Sequence, residues 1–133
     1  MLKNWKPNSA ERAVLEGRCC GYCQSHTVHF GTRVECPQCK AAVSCDTHGK
    51  PLGRVATPYL RYLRSQAHKA FDRIWRSGGM TRPEAYTWLA DELGLPKEFT
   101  HIGMMGEVTC QRTIATSDAY IKSNISGSYS NQP

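Results

Sequence analysis

Four of the seven cysteines in this 133-residue chain occur as two closely spaced pairs. The pairs are Cys20-Gly-Tyr-Cys23 and Cys36-Pro-Gln-Cys39, with twelve residues between them. Two intervening residues let both sulfurs of a pair point at one ion, and two such pairs supply the four thiolates of a tetrahedral Zn²⁺ site. Because four sulfur ligands leave no open position for a reacting water, the pattern predicts one structural zinc ion.

The neighbourhood of the first pair offers alternative ligands. Cys19 is adjacent to Cys20 and leaves the register open, although the two-residue spacing favours Cys20. His26 and His29 lie close by in the sequence, but histidines in a hairpin are more often only solvated. A redox site would need a single Cys-x-x-Cys that opens a helix after a buried strand, and the duplicated motif argues against it.

The segments around the pairs have the pattern of short β-strands. Thr27–Phe30 and Thr32–Val34 are rich in β-branched and aromatic residues, with Gly31 placed to make the turn of a hairpin. Ala41–Cys45 alternates as a third strand would, and we expect Cys45 to pack there as a small apolar residue. Strands and cysteine pairs together predict a zinc ribbon.

The later part of the chain predicts about three α-helices. The expected spans are residues 58–76, 82–93 and 106–115. Pro58 after Thr57 suits a helix start, and Thr81 with Glu84 matches a capping box. One stripe of apolar residues recurs at intervals of three and four in the first helix: Leu60, Leu63, Ala67, Phe71 and Ile74.

The sequence therefore predicts an α+β fold, in which a four-cysteine zinc ribbon, made of a β-hairpin plus a third strand, packs with these three helices. We expect a polar lead-in over residues 1–17, with two helical turns capped by Ser9. The zinc ribbon follows over 18–53, then a helical part packed on the ribbon over 54–116, and a flexible polar tail over 117–133.

The formal net charge is +6, and the positive charge is concentrated early in the chain. Up to Pro83 there are fourteen Lys or Arg against five acids, and from Glu84 onward three against six. A basic region of this kind is typical of proteins that bind polyanions such as DNA or RNA. The residues expected to contact nucleic acid are Arg33, Arg54, Arg61, Arg64 and Lys69, with Phe30, Tyr59 and Tyr62 available for base stacking.

Other features limit the cellular setting. We find no run of about 20 apolar residues that would cross a membrane, and we expect no secretory leader. An odd number of cysteines without a leader favours a reducing compartment, so we expect a cytoplasmic protein.

Short motifs follow one another in order along most of the chain. They are Cys20-x-x-Cys23, Cys36-Pro37-x-Cys39, Pro51-Leu52-Gly53, Ala67-His68-x-Ala70-Phe71-Asp72, Trp75, Glu84-Ala85-Tyr86-x-Trp88-Leu89-Ala90, Leu93-Gly94 and His101-Ile102-Gly103-Met104. This run resembles a small family found in phages and prophages, that of zinc-finger-containing domains of unknown function. The resemblance covers about Cys20 to Ile114. It implies a zinc ribbon joined to a helical part and a phage or prophage origin, and it implies no reaction. The sequence has Asp46 where the pattern of that family would place His.

Three functions compete on these observations. We expect a phage-type accessory protein that binds nucleic acid, DNA or RNA, through its basic surface without catalysis. The alternative is an inhibitor or adaptor that docks on a host protein complex of the transcription, replication or defence machinery. An enzyme with a small-molecule substrate is disfavoured, since His68 and Asp72 form a surface pair more readily than a base and its orienting group. A helix-turn-helix is disfavoured because the segment after Gly94 is short and contains Glu98.

Overall fold

The computed structural model describes residues 4–125, which form four α-helices and one three-stranded sheet. In chain order the elements are α1 Ser9–Leu15, β1 Val28–Phe30, β2 Arg33–Glu35, β3 Ala42–Ser44, α2 Pro58–Arg76, α3 Arg82–Leu93 and α4 Glu107–Tyr120. The predicted α+β class, with its hairpin, third strand and helices, is confirmed. None of the helices in these residues combines the length and apolar character needed to cross a membrane.

The chain divides into two compact units. We call the first the ribbon unit, which comprises Lys6–Tyr62 with Gly103–Met105. The second is the helical unit. Among the described residues it comprises Leu63–Ile102, residues 4–5 and residues 106–125, which include α4. The division falls inside α2, so this helix contributes its first turn to the ribbon unit and the rest to the helical unit.

The sheet of the ribbon unit is antiparallel, in the order β1-β2-β3. Phe30 pairs with Arg33, so the hairpin loop contains only Gly31 and Thr32. Gly31 has a φ of +60°, a conformation that glycine adopts at little cost as the first residue of a two-residue hairpin loop. A tight loop of this kind fixes the pairing register of β1 and β2. It therefore also fixes how far apart in space the two cysteine pairs lie.

One small cluster in the core of the ribbon unit includes two of the predicted metal ligands. It consists of Cys20, Val34, Cys36, Ala41 and Val55, with Cys39, Val43 and Cys45 packed against it. The expected packing role of Cys45 is confirmed. β3 is held on its outer side by Ala56, whose backbone N–H and C=O both bond to Ala42, at 2.9 and 3.0 Å.

The start of α1 corrects the sequence prediction. Asn8, and not Ser9, is the N-cap, and its side chain accepts a 2.8 Å hydrogen bond from the Glu11 amide. Glu11 in turn accepts from the Asn8 amide at 2.9 Å, which completes a capping box. The Glu three residues after Asn8 is the sequence signal for this register. Ala13 and Val14 of α1 are buried, so the polar lead-in contributes apolar packing to the ribbon unit.

α2 and α3 form where the sequence predicts them. All five residues of the α2 stripe are buried. At the start of α3 the Glu84 amide donates to the Thr81 hydroxyl, and the Thr81 amide donates to the Glu84 carboxylate. α3 ends at Gly94, which has a φ of +70°. The segment after it forms two short 3₁₀ turns, Lys97–Phe99 and Ile102–Met104, in place of a recognition helix.

α4 is longer than the sequence predicts. It continues to Tyr120 and is followed by a π-helical segment, Ile121–Ile125. Residues 117–125, assigned to a flexible tail from the sequence, are therefore helical, while the remainder of that predicted tail lies outside the described residues. The buried face of α4 consists of Cys110, Thr113 and Ser117. Because Thr113 and Ser117 are polar, the spacing of apolar residues does not show the helical period of this face.

Two glycines make a close backbone contact inside the ribbon unit. The Arg54 amide donates a 3.1 Å hydrogen bond to the carbonyl of Gly103. A Cβ placed on Gly53 would lie 2.4 Å from the same carbonyl oxygen, whereas a Cβ on Gly103 would meet only the Leu52 oxygen, at 3.6 Å. The contact therefore requires glycine at position 53 but not at position 103.

We predict that Gly53→Ala lowers the free energy of unfolding by about 1–3 kcal/mol, the usual cost of overpacking. The reason is the clash of the new Cβ with a backbone atom that cannot rotate away. Gly103→Ala is the matched control and should change stability much less. Thermal and denaturant unfolding measure both variants, and equal stability of the two would contradict the contact.

Candidate metal centre

The first cysteine pair lies on a tight turn closed by the backbone. The Gln24 amide donates a 2.9 Å hydrogen bond to the Cys20 carbonyl. The Tyr22 amide points at the Cys20 sulfur, 3.4 Å away. Gln24 has a φ of +68°, a left-handed conformation that is uncommon for a residue with a side chain. The turn thus places both sulfurs of the pair on one side.

The second pair repeats this geometry. The Lys40 amide donates to the Cys36 carbonyl at 2.9 Å, and the Cys39 amide points at the Cys36 sulfur at 3.3 Å. Lys40 has a φ of +63°. Positive φ at the residue after the last cysteine of each pair is a requirement that the sequence does not reveal, since neither position is Gly, Asn or Asp.

The two turns bring four sulfurs together. The ligand atoms of Cys20, Cys23, Cys36 and Cys39 all lie within 4.8 Å of one another. The Cys23 and Cys36 sulfurs are 3.6 Å apart, and a tetrahedron with Zn–S bonds of 2.3 Å has sulfurs about 3.8 Å apart. The donor set and its spacing fit one structural Zn²⁺ ion, as the sequence predicts.

The four thiols have different surroundings. Cys20 and Cys36 are fully buried, whereas Cys23 is exposed and Cys39 half-buried. Burial raises the pKa of Cys20. The Ser25 hydroxyl, 3.3 Å from the Cys23 sulfur, lowers the pKa of Cys23 to about 6. The Ser25 contact is a supporting interaction that the sequence analysis missed.

The fourth ligand shows why the cluster needs a cation. The hydrogen bond between Cys39 and Cys23 and the negative charge of the neighbouring sulfurs raise the pKa of Cys39 to about 12. Four thiols in this arrangement therefore resist full ionisation on their own. A dication offsets the repulsion and takes all four as thiolates, so metal binding and proton release are coupled.

The alternative ligands lie outside the cluster. The Cys19 sulfur is 3.7 Å from His26 Nδ1, in a separate contact beside the turn. His29 Nε2 lies 2.9 Å from the carbonyl oxygen of Gly49. The structure therefore brings Cys20, and not Cys19, into the four-sulfur site. Asp46 stabilises its own loop, where its carboxylate accepts hydrogen bonds from two backbone amides.

Two of the basic residues predicted to bind nucleic acid are exposed in the ribbon unit. Arg33 pairs with Glu35 at 3.2 Å, so part of its charge is balanced within β2. Arg61 is exposed at the start of α2, where one of its nitrogens donates a 3.0 Å bond to the Ala56 carbonyl.

The other three differ in accessibility. Lys69 is exposed on α2, in the helical unit. Arg54 and Arg64 are half-buried, and the Nε atom of each is shielded from solvent. Arg64 is therefore less accessible to a nucleic acid than Arg61. The helical period places Arg64 nearer to the apolar stripe than Arg61.

Comparison with known proteins gives one match. A family model described as a zinc-finger-containing domain matches residues 10–120, more than half of the chain. That family is one of unknown function. Comparison with curated proteins and with solved structures gave no match. The matched range includes all four cysteines of the site, α2, α3 and α4, and all of α1 except its first residue.

We predict one zinc ion per chain, which Cys36→Ser should remove. Because binding energy at a structural site is folding energy, the ribbon unit of this variant should lose its structure. Elemental analysis of purified protein gives the metal content, and near-ultraviolet circular dichroism follows the fold. Cys19→Ser is the matched control and should retain zinc. Full occupancy in Cys36→Ser, or loss of metal in Cys19→Ser, would contradict the assigned ligand set.

Proposed function

The chain belongs to the family of zinc-finger-containing domains, and we propose that it is a phage-type accessory protein that binds nucleic acid without catalysing a reaction. In this proposal the zinc ion is structural and does not take part in a reaction. Four sulfur ligands occupy a tetrahedral site completely, so the ion has no position left for substrate or water. The chemistry that remains is recognition by the surface of the two units.

The observation that carries the proposal is an exposed group at the start of α2. Tyr59 and Tyr62 are 52% and 56% exposed, although tyrosine usually buries most of its ring. Arg61 lies between them in the sequence and is also exposed. Exposed rings and an exposed cation on one helical turn suit a single-stranded nucleic acid, because bases stack on the rings while the guanidinium binds phosphate.

The tip of the hairpin supports the same proposal. Phe30 is 53% exposed and directly precedes the hairpin loop. Its cross-strand partner is Arg33, so an aromatic ring and a guanidinium again stand side by side. Tyr22, on the first cysteine turn, is 45% exposed, and its hydroxyl lies 3.2 Å from that of Thr57, just before α2. The ribbon unit thus combines four exposed aromatic side chains with basic residues.

The alternative proposal is docking on a host protein complex. It is favoured by aliphatic exposure on the ribbon unit, where Leu52 is 63% and Val28 40% exposed. Isolated exposed aliphatic residues are ordinary on protein surfaces. Stacking rings beside cations are the more specific feature, and we therefore give nucleic-acid binding precedence.

We predict that the double variant Tyr59→Leu, Tyr62→Leu weakens binding to a labelled oligothymidylate, since each base stack removed costs about 1–3 kcal/mol. The double variant to Phe keeps both rings and should bind like the unaltered protein. Fluorescence anisotropy at low salt measures the affinities. Because both side chains are exposed, melting temperature and zinc content should stay constant in the two variants.

The salt dependence gives a second measurement of the same surface. Arg61→Glu should weaken binding to every sequence and flatten the dependence of log affinity on log salt, by about 0.7 for each single-strand phosphate that the variant no longer neutralises. Unaltered protein that binds neither DNA nor RNA at low salt would refute the proposal. A protein partner that survives nuclease treatment in an affinity purification would then favour the docking alternative.

A further inference from the structure

A group of stacked cations lies in the helical unit. The guanidinium carbon of Arg76 is 5.2 Å from the centroid of the Trp75 ring, and that of Arg82 is 5.8 Å from the same ring. Arg82 also lies 5.5 Å from the ring of Tyr86. Two arginines therefore share one indole, and one of them contacts a second ring as well.

The rings that hold these arginines are themselves held in place. Trp75 is half-buried, and its Nε1 donates a 3.1 Å hydrogen bond to Asp72. Tyr86 packs on the buried ring of Phe71, with centroids 4.8 Å apart. Fixed rings orient the guanidinium planes. A stacked guanidinium loses less conformational freedom when it binds a ligand through its edge.

The neighbouring acids are already engaged. Asp118 forms an ion pair with Arg73, and the Glu84 carboxylate accepts from the Thr81 amide in the capping box. Asp72 accepts from the indole. Within residues 4–125, neither Arg76 nor Arg82 forms an ion pair with a carboxylate. Two like charges against one indole repel each other, and an anion placed between them would remove that cost.

We propose that Arg76 and Arg82, stacked on Trp75 and Tyr86, bind phosphate groups of a nucleic-acid backbone. This inference rests on the proposed function and adds a contact site in the helical unit. Guanidinium edges match phosphate oxygens in pairs, which an ammonium group cannot reproduce. Lys69 and Arg76 line the same shallow groove along α2, so a backbone that leaves the arginine pair meets a further cation.

The test separates the positive charge of the two arginines from the planar shape of their guanidinium groups. Arg82→Gln and Arg76→Gln should each weaken binding of oligothymidylate about tenfold, the loss expected for one charge-assisted contact. Arg76→Lys and Arg82→Lys keep the charge but lose the planar group and should each weaken binding nearly as much. Lys97→Gln removes an exposed charge elsewhere in the helical unit and is the matched control, expected to change affinity less than about twofold. Fluorescence anisotropy gives the affinities.

The outcomes separate this inference from the function on which it rests. If both lysine variants bind like the unaltered protein, the stacked pair is only a source of charge and the inference is overturned. If Arg61→Glu weakens binding while both glutamine variants do not, the inference fails and the proposed function stands. If the unaltered protein binds no oligonucleotide at low salt, both fail. Binding of polyglutamate in preference to oligothymidylate would also overturn the inference, because it assigns the pair to an acidic protein. Melting temperatures of all variants exclude loss of folding.

Discussion

The attraction between four sulfurs and one dication is the interaction on which the ribbon unit depends. Cys20 and Cys36 are both ligands and fully buried members of one small core cluster, together with Val34, Ala41 and Val55. A core of that size contributes little hydrophobic stabilisation, and very small units usually need a metal or disulfides to fold. Without the ion, ionisation of more than one of these clustered thiols would place like negative charges side by side. Metal binding and folding of this unit are therefore one event.

The geometry of the site explains several distant sequence features. Each cysteine turn needs a left-handed residue, the hairpin needs a glycine at its first loop position, and β3 needs Ala56 as an edge partner. The backbone contact between Gly53 and Gly103 brings a segment from beyond α3 into the ribbon unit. Two short motifs that lie about fifty residues apart in the sequence thus belong to one packing contact. Neither motif supplies a metal ligand.

Local signals in the sequence are sufficient for the metal site, the hairpin, α2 and α3, because spacing, turn residues and capping boxes are short-range. The N-cap of α1 is a local signal that the prediction overlooked, whereas the other failures occur where a tertiary contact decides the outcome. α4 buries Thr113 and Ser117, so its true length is not visible as an apolar period. Arg64 is predicted to contact nucleic acid, yet its Nε is shielded from solvent. Burial of a polar group depends on what packs over it, which a helical wheel does not contain.

The same limit applies to charge. The sum of +9 up to Pro83 treats every cation as equally available to a polyanion. In the structure, Arg12 and Arg18 share Glu16, and Arg33 pairs with Glu35. Surface pairs of this kind contribute little stability, but they reduce the local positive potential. Cations whose partners are a backbone carbonyl or an aromatic ring keep their positive charge, since such partners orient a guanidinium without neutralising it. A polyanion would therefore select among these arginines by their neighbours, and the count of basic residues along the chain is a poor guide to where it binds.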